Sequence, residues 1–529
     1  MFKFLKQNWE YLFLVLFIVI ASILRFYHIT RLEFFTYDQA RDALFVKRMI
    51  VDHEFRLLGT QTSLPGMYLP PFYYYTIALV LWLGRLNPVA IDIYSALIGV
   101  LSVPLVFSVS NKIFGKPAGV FSAGLFAVSP LVVELTRRAW NPNTLPFFIL
   151  VTFYFVYQYF KERKLRDFFL AFGFYGYCLS LHFGAWTLLP LFAFIWFDGV
   201  IKKKLGWLGG LGGIGILFFF VSPLLLFELK HNFFLSSQAK MFFFDGGHLG
   251  VKSGTNIVES FLVSLISLFA ILISGRIFVG YQAPLEFGGK FKDIFLPATP
   301  VSVVAQKPFS ISFQWWGLMI LGLIIYFSLK KFSDHKLSLI LIWVWILWGI
   351  FVSRLYSGGF FFFYYLYLFP APILLFSFLF KNIVSDKRVF VKAIGWLSFS
   401  YIVIFHLVNT TVFTNNWRNI GLLKEAAKVI AENSNDGEAF NIATIQRDVD
   451  RWDRNSVDYR YFTESYYHKR ALDWYPQEYA KADSLFVVDE AGGDSVLRSN
   501  IMEIQQFGPK KILGQWEIEK GIVIYKLGK

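Results

Sequence analysis

The sequence predicts a mainly α, polytopic membrane protein with a soluble C-terminal α/β domain, and three observations predict it. Apolar residues make up 56% of the chain and charged residues 16%, with a mean hydropathy of +0.51, far less charge than a soluble protein of 529 residues needs. Eleven stretches are apolar for long enough, or nearly so, to cross a bilayer core of about 30 Å at about 1.5 Å per helical residue. After Thr411 the composition changes abruptly to alternating helical and β-rich runs.

The eleven stretches are residues 11–29, 90–110, 117–134, 144–160, 167–181, 184–198, 206–227, 312–329, 337–352, 361–380 and 393–411. The fifth and sixth are short, with Leu181-His182-Phe183-Gly184 as their turn. The first is too long for a cleavable signal peptide and lacks a small-residue cleavage site. Lysines and arginines fix the orientation. Lys3 and Lys6, Lys112 and Lys116, the 161–166 turn, Lys202 to Lys204, Lys330 to Lys336 and Lys381 to Lys392 all fall on one side when eleven spans are threaded from a cytoplasmic N-terminus. That threading requires two further apolar stretches, 69–84 and 256–280, to lie in the outer interface without crossing, the first opened by Pro70-Pro71.

The expected organisation is a membrane domain over residues 1–411, with an external loop at 30–89 and an external region at 228–311, and an extracytoplasmic α/β domain over 412–529. In the latter, "NIGLLKEAAKVIAEN" is helical, and "AFNIATI", "SLFVVDE" and "GIVIYKL" are strands. The expected location is the plasma or inner membrane, multi-pass. The net charge of +15 sits in short clusters between apolar runs, as the positive-inside rule requires, so it implies no nucleic acid. The single cysteine, Cys178, excludes an intrachain disulfide. "GGLGG" at 209–213 lies inside an apolar run and permits close helix packing; it is not a phosphate loop.

Ionisable groups are costly at mid-bilayer, so where they collect is informative. Those outside the positive-inside pattern gather at the outer ends of the spans: Arg25, His28, Glu33, Asp38, Arg41, Asp42, Glu134, Arg137, Arg138, His182, Glu228, Lys230, His231, Arg276 and Arg354. This is a polar site at one interface, whereas a transporter places broken helices and polar residues near the midplane. In "TYDQARDALFVKRMI", Asp38 and Asp42 share a helix face, and Ala40, Ala43, Leu44, Phe45 and Val46 suit a membrane surface. Two readings stand: a general base on an acceptor hydroxyl, or interfacial carboxylates paired with Arg41 or Arg137. Arg137 and Arg138 break the positive-inside pattern, which fits forked hydrogen bonds to a donor phosphate or, equally, to lipid headgroups. Lys230 and Arg354 are further candidates for that phosphate. Asn141, Asn143, His182 and Tyr37 are candidates for lining the pocket, with Asn141 and Asn143 also suited to capping the fourth span and His182 to a satisfied interfacial role. No His, Cys, Asp and Glu constellation has zinc spacing, so no metal site is assigned.

The order of these features, a first span, an acidic external loop, "LPPFYYY", "YSALIGVLSVPLVF", "NKIFGKPAG" and "SPLVVELTRRAWNPN", resembles the GT-C superfamily of membrane glycosyltransferases. It is most like the protein O-mannosyltransferase type and its bacterial relatives, including enzymes that move aminoarabinose onto lipid A. The likeness covers most of residues 5–411. It implies a GT-C-like helical bundle, a polyprenyl-phosphate sugar donor, membrane lipid as surroundings and a glycan, lipid or protein acceptor. It also implies that Asp38 accepts the acceptor's proton during inverting transfer, while Arg137 or Arg138 steadies the departing lipid phosphate. Such relatives often carry an acidic pair in the first loop and an aspartate after the third span. Here Gln39 follows Asp38 and "WNPN" carries asparagines, so no cofactor is required and a divalent cation lacks support. No segment resembles the "WWDYG" signature of oligosaccharyltransferases, which disfavours transfer of a whole oligosaccharide to asparagine. Two rival functions stay open: a flippase for lipid-linked sugars, and a non-catalytic scaffold presenting residues 412–529.

Overall fold

The structure is a computed structural model that describes residues 8–30, 35–62, 64, 66–202, 205–246, 257–270, 272, 314–356, 362–410, 412–413, 418–447, 455–492, 496–508 and 510–529. Glu33, Arg276 and residues 281–310 lie outside them. Each of the eleven apolar stretches contains a helix. Among the described residues six helices are long and apolar enough to cross a membrane: Trp9–Phe26, Val89–Phe114, Phe183–Ile201, Gly206–Lys230, Lys336–Ser353 and Val389–Val408. Lys116–Val128 and Pro130–Thr136 pass the same test as a pair bent by 59°. The fourth and fifth stretches form Leu145–Glu162 and Leu165–Leu179, and the remaining two contain the shorter apolar helices Gly317–Lys330 and Pro370–Val384. The two stretches expected to lie in the interface form Phe72–Leu83, 12 residues, and Ile257–Ala270, 14 residues. At about 1.5 Å per residue Phe72–Leu83 is too short to cross a core of about 30 Å unaided, and residues 271 and 273–280 of the second stretch lie outside the described residues.

The chain divides into two compact units, residues 1–27, 56–74 and 93–413 in one, and residues 28–55, 75–92 and 414–529 in the other. In the first unit, Lys116–Val128 is buried at every residue from Ala118 to Val128. Ring contacts around Phe121, with Phe380, Trp396 and Phe399, fill one side of it at centroid distances of 5.4, 4.8 and 4.7 Å.

The second unit contains a four-stranded sheet, β1 (Phe440–Ile445), β2 (Ser484–Asp489), β3 (Lys511–Ile518) and β4 (Ile522–Gly528), in the order β1-β2-β4-β3. β1 and β2 run parallel, a pairing that needs a crossover, and the helices Val457–Tyr467 and Pro476–Lys481 lie between them in the chain. β4 runs antiparallel to both neighbours, with a bulge in β3 between Ile512 and Gly514. β2 is buried at all six positions, as an apolar run covered on both faces should be. Helix Ile420–Glu432 starts where Asn419 accepts a hydrogen bond from the Leu422 N–H at 3.2 Å. The expected α/β domain is therefore present.

Candidate functional site

Helix Tyr37–Val51, which carries Asp38, begins at Thr36. The Gln39 Oε1 accepts from the Thr36 backbone N–H at 3.3 Å and from its hydroxyl at 2.5 Å, so Gln39 closes the helix start. Asp38 lies in the first turn, where the helix dipole favours a carboxylate. Its Oδ1 is 3.0 Å from Arg41 Nη1, and its side chain keeps 23% exposure. Asp42 differs: Arg41 reaches its Oδ1 through Nη2 at 2.8 Å and Nε at 2.9 Å, and the side chain is 4% exposed. The guanidinium also lies 5.2 Å above the Tyr37 ring. Burial raises the Tyr37 phenol above its usual range, with Arg41 opposing it. The structure thus gathers Tyr37, Asp38 and Asp42 around Arg41, and of the two carboxylates Asp38 is the more exposed.

The helix is fixed at both ends within its own unit. Ahead of it, the Phe35 carbonyl accepts from Arg418 Nη1 at 2.8 Å, and Arg418 pairs with Asp458 and with Glu490 Oε1 at 3.1 Å. At its far end, Glu464 Oε2 takes Arg48 Nη2 at 2.9 Å, while its Oε1 takes Arg48 Nε at 3.1 Å and Lys47 Nζ at 3.0 Å. Burial opposes ionisation of Glu464, but Arg48 and Lys47 outweigh it and hold the carboxyl below its usual range. Ala40, Ala43, Leu44 and Val46, a face suited to a membrane surface, are fully buried in protein. The charges at 47 and 48 therefore dock the loop helix onto helix Val457–Tyr467. Glu464 carried no sequence signal, because Lys47 and Arg48 lie 417 and 416 residues away in the chain, and Arg418 carried none, because the carbonyl it holds at Phe35 is 383 residues away.

In the other unit, two arginines staple the bent pair to the first helix. Pro130 lacks the N–H that would reach the Phe126 carbonyl, and the chain breaks there. Arg25 fills the gap: Nη2 donates to Phe126 O at 3.1 Å, Nη1 to Ala127 O at 3.0 Å and Nε to the Thr136 hydroxyl at 2.9 Å. Arg137 does the reverse, donating through Nη1 to Leu24 O at 2.7 Å and through Nη2 to Tyr27 O at 2.9 Å, carbonyls at the end of Trp9–Phe26. Gly99 makes the room, since a Cβ there would lie 2.6 Å from both Arg25 Nε and Thr136 Cβ.

The next turn holds the other candidates. Arg138 Nη2 pairs with Glu134 Oε1 at 2.7 Å and keeps 22% side-chain exposure. Asn143 donates to Arg138 O at 3.0 Å, and Asn141 donates to Leu181 O at 2.5 Å. The Oδ1 atoms of both asparagines, with Thr144 Oγ1, are buried and accept no hydrogen bond among the described residues. His182 Nδ1 accepts from the Gly184 N–H at 3.0 Å, so Nε2 carries the proton, and burial pushes the imidazole down to about 4. Gly184 is required there because a Cβ would lie 2.7 Å from the Tyr364 carbonyl oxygen. Arg354 Nε donates to the Tyr365 hydroxyl at 3.1 Å, and Lys230 stands exposed at the end of Gly206–Lys230. Among the described residues no three His, Cys, Asp or Glu side chains gather as a metal ion would need.

Comparison with known proteins adds the following. The family model of dolichyl-phosphate-mannose-protein mannosyltransferases matches residues 69–227. No curated protein matches the chain. A crystal structure of ArnT from Cupriavidus metallidurans bound to undecaprenyl phosphate superposes with a TM-score of 0.58 at 11% identity, covering 98% of each chain. The archaeal oligosaccharyltransferase AglB from Archaeoglobus fulgidus, in complex with an inhibitory peptide and a dolichol-phosphate, gives a TM-score of 0.50 at 11% identity, covering 92% of this chain and 70% of that one. The chain has the fold of the GT-C superfamily, as its motif order implied.

Proposed function

We propose that this chain, built on the GT-C fold, is a membrane glycosyltransferase that takes a sugar from a polyprenyl-phosphate carrier and passes it with inversion to a hydroxyl acceptor. The observation that supports this reading most is the end-to-end likeness, 98% of both chains, to a structure holding undecaprenyl phosphate. A second structure of the same fold holds dolichol-phosphate, so the shared ligand chemistry is a phosphate on an isoprenoid tail.

In this reading Asp38 is the base. The acceptor O–H gives its proton to the carboxylate as the oxygen attacks the anomeric carbon, and the bond from that carbon to the phosphate oxygen breaks. Polyprenyl phosphate leaves with the bonding electrons. Cations that face the growing phosphate charge lower the barrier. Arg138 takes this role ahead of Lys230 and Arg354. Arg137, whose fork already holds helix-end carbonyls, fixes the turn that carries Arg138. Asp42 orients Arg41 and takes no proton, because its carboxylate is buried under that guanidinium.

The test is transfer in reconstituted vesicles, scored by release of free polyprenyl phosphate. Wild type should release it when acceptor is present, and Asp38→Asn should bind donor but release none. Retained turnover in Asp38→Asn removes the base. Movement of the intact lipid-linked sugar across the bilayer without release would replace the transferase reading by a flippase.

A further inference from the structure

A second charged site lies apart from the proposed catalytic groups, among the lysine-rich helix ends. Lys381, near the end of helix Pro370–Val384, is half-buried, and its ammonium lies 3.5 Å from His335 Nε2. His335 Nδ1 is 3.1 Å from the Ile113 carbonyl at the end of helix Val89–Phe114. A carbonyl only accepts, so Nδ1 carries the proton and Nε2 offers its lone pair to Lys381. The imidazole is therefore neutral, and burial with Lys381 beside it holds it below its usual range. Phe114 and Phe378 pack edge-on against the ring at 5.3 and 5.5 Å.

The ammonium is thus met by a neutral partner where a carboxylate would be expected. Among the described residues no carboxylate lies within ion-pairing distance of Lys381; Asp334, the acid of the same turn, pairs with Lys331 at 3.3 Å. Asp334 and His335 are adjacent in the turn, so the ion pair on one and the contact on the other bring Lys331 and Lys381 to the same place, where Lys331 repels Lys381 and Asp334 attracts it. One carboxylate against two ammonium groups leaves a net positive charge, which a bound anion stabilises. Beside them Leu329 and Phe332 are 74% and 41% exposed, so apolar surface adjoins the charge.

The geometry points to a binding site for an anionic phospholipid at Lys381 and Lys331, with the headgroup phosphate between the two ammonium groups and the acyl chains along Leu329 and Phe332. The assignment is independent of the transferase reading, since it uses none of the groups placed in that reaction.

Binding of phosphatidylglycerol and of phosphatidylcholine to the full chain in detergent, followed by native mass spectrometry, tests it. Phosphatidylglycerol should bind in preference. Lys381→Gln should weaken that binding by about fivefold or more, from the roughly 1 kcal/mol that each lysine contributes at an anionic surface. Lys331→Gln should weaken it in the same direction, and Lys392→Gln, an exposed lysine outside the cluster, should leave it unchanged. Equal losses in Lys381→Gln and Lys392→Gln would overturn the site in favour of diffuse attraction, as would equal binding of the two lipids. Displacement of the lipid by inorganic phosphate at matched concentration would overturn the lipid and leave a free-phosphate site. Lys331→Gln carries the test if Lys381→Gln fails to melt like wild type in phosphatidylcholine.

Discussion

Replacing Glu464 by Gln should loosen the helix that presents Asp38 without touching Asp38. The carboxylate is 5% exposed and is shared by Arg48 and Lys47, themselves 6% and 8% exposed. Removing one partner of a buried ion pair costs about 3–5 kcal/mol because a charge is left without compensation. The lower figure applies, since Gln keeps one acceptor oxygen, Lys47 keeps Asp52 at 3.2 Å and Arg48 keeps Asp473 at 3.4 Å. For a unit of this size about 3 kcal/mol corresponds to a fall of about 6–12 °C in the melting temperature. Scanning calorimetry in detergent, with a circular dichroism check that helix content is unchanged, measures it. The pH dependence follows from the same group. Its folded carboxyl titrates lower than in the unfolded chain, so its stabilisation is complete above about pH 4.3 and is lost as the pH falls through the folded value. Glu464→Gln should therefore flatten the acid limb of the stability curve. A fall of less than about 2 °C, or an unchanged acid limb, would refute the view that this cluster locks the loop helix.

Asp42→Asn should lower the melting temperature while sugar transfer per folded molecule stays within about threefold, because Asp42 is buried against Arg41; loss of transfer at unchanged stability would reverse the roles given to the two aspartates. Gly99→Ala should destabilise the membrane unit by about 1–3 kcal/mol, read as a lower melting temperature, since a methyl group would enter the space of Arg25 and Thr136. Arg137→Met should act mainly on stability and Arg138→Met mainly on donor affinity, measured by calorimetry and by lipid-phosphate binding; equal effects of both variants on both measurements would show that the two arginines are not divided in this way.

Much of the architecture was legible because the bilayer simplifies the physics. A span must be a long apolar helix, so residues 11–29 or 393–411 announce themselves, and β1, β2 and β4 are apolar runs of strand length. β3 escaped because it is a largely exposed edge strand of mixed character, "KILGQWEI", paired in the sheet with β4. The break at Ser129-Pro130 was also missed, although proline carries the signal, because a hydropathy window averages over it. Within the site, helix spacing placed Asp38, Arg41 and Asp42 near one another. It could not tell which carboxylate the arginine would bury, since that depends on whether Nε or only one Nη reaches each oxygen. The docking role of the charges at 47 and 48 was not legible because their partner, Glu464, is distant in sequence and only the fold of the C-terminal segment brings it close.

The bent pair shows why a backbone defect and an arginine occur together. Pro130 leaves the Phe126 carbonyl without its intrahelical donor, and an unsatisfied carbonyl in an apolar setting is costly. Arg25 is fully buried, and each of its three guanidinium nitrogens donates to a carbonyl or to the Thr136 hydroxyl, at the negative end of the helix dipole. The charge is thus compensated by groups that do not titrate, and the break is held open. That break turns Pro130–Thr136 away from the preceding helix and delivers Arg137 to the end of Trp9–Phe26, where it closes the reciprocal contact. The turn that follows is fastened on one side by Arg137 and on the other by Asn141 on Leu181. Arg138 lies between these two anchors, paired with Glu134 from the same short helix. A phosphate that reaches Arg138 must compete with that carboxylate, and the backbone beneath it is already in place, so binding there requires no ordering of the turn.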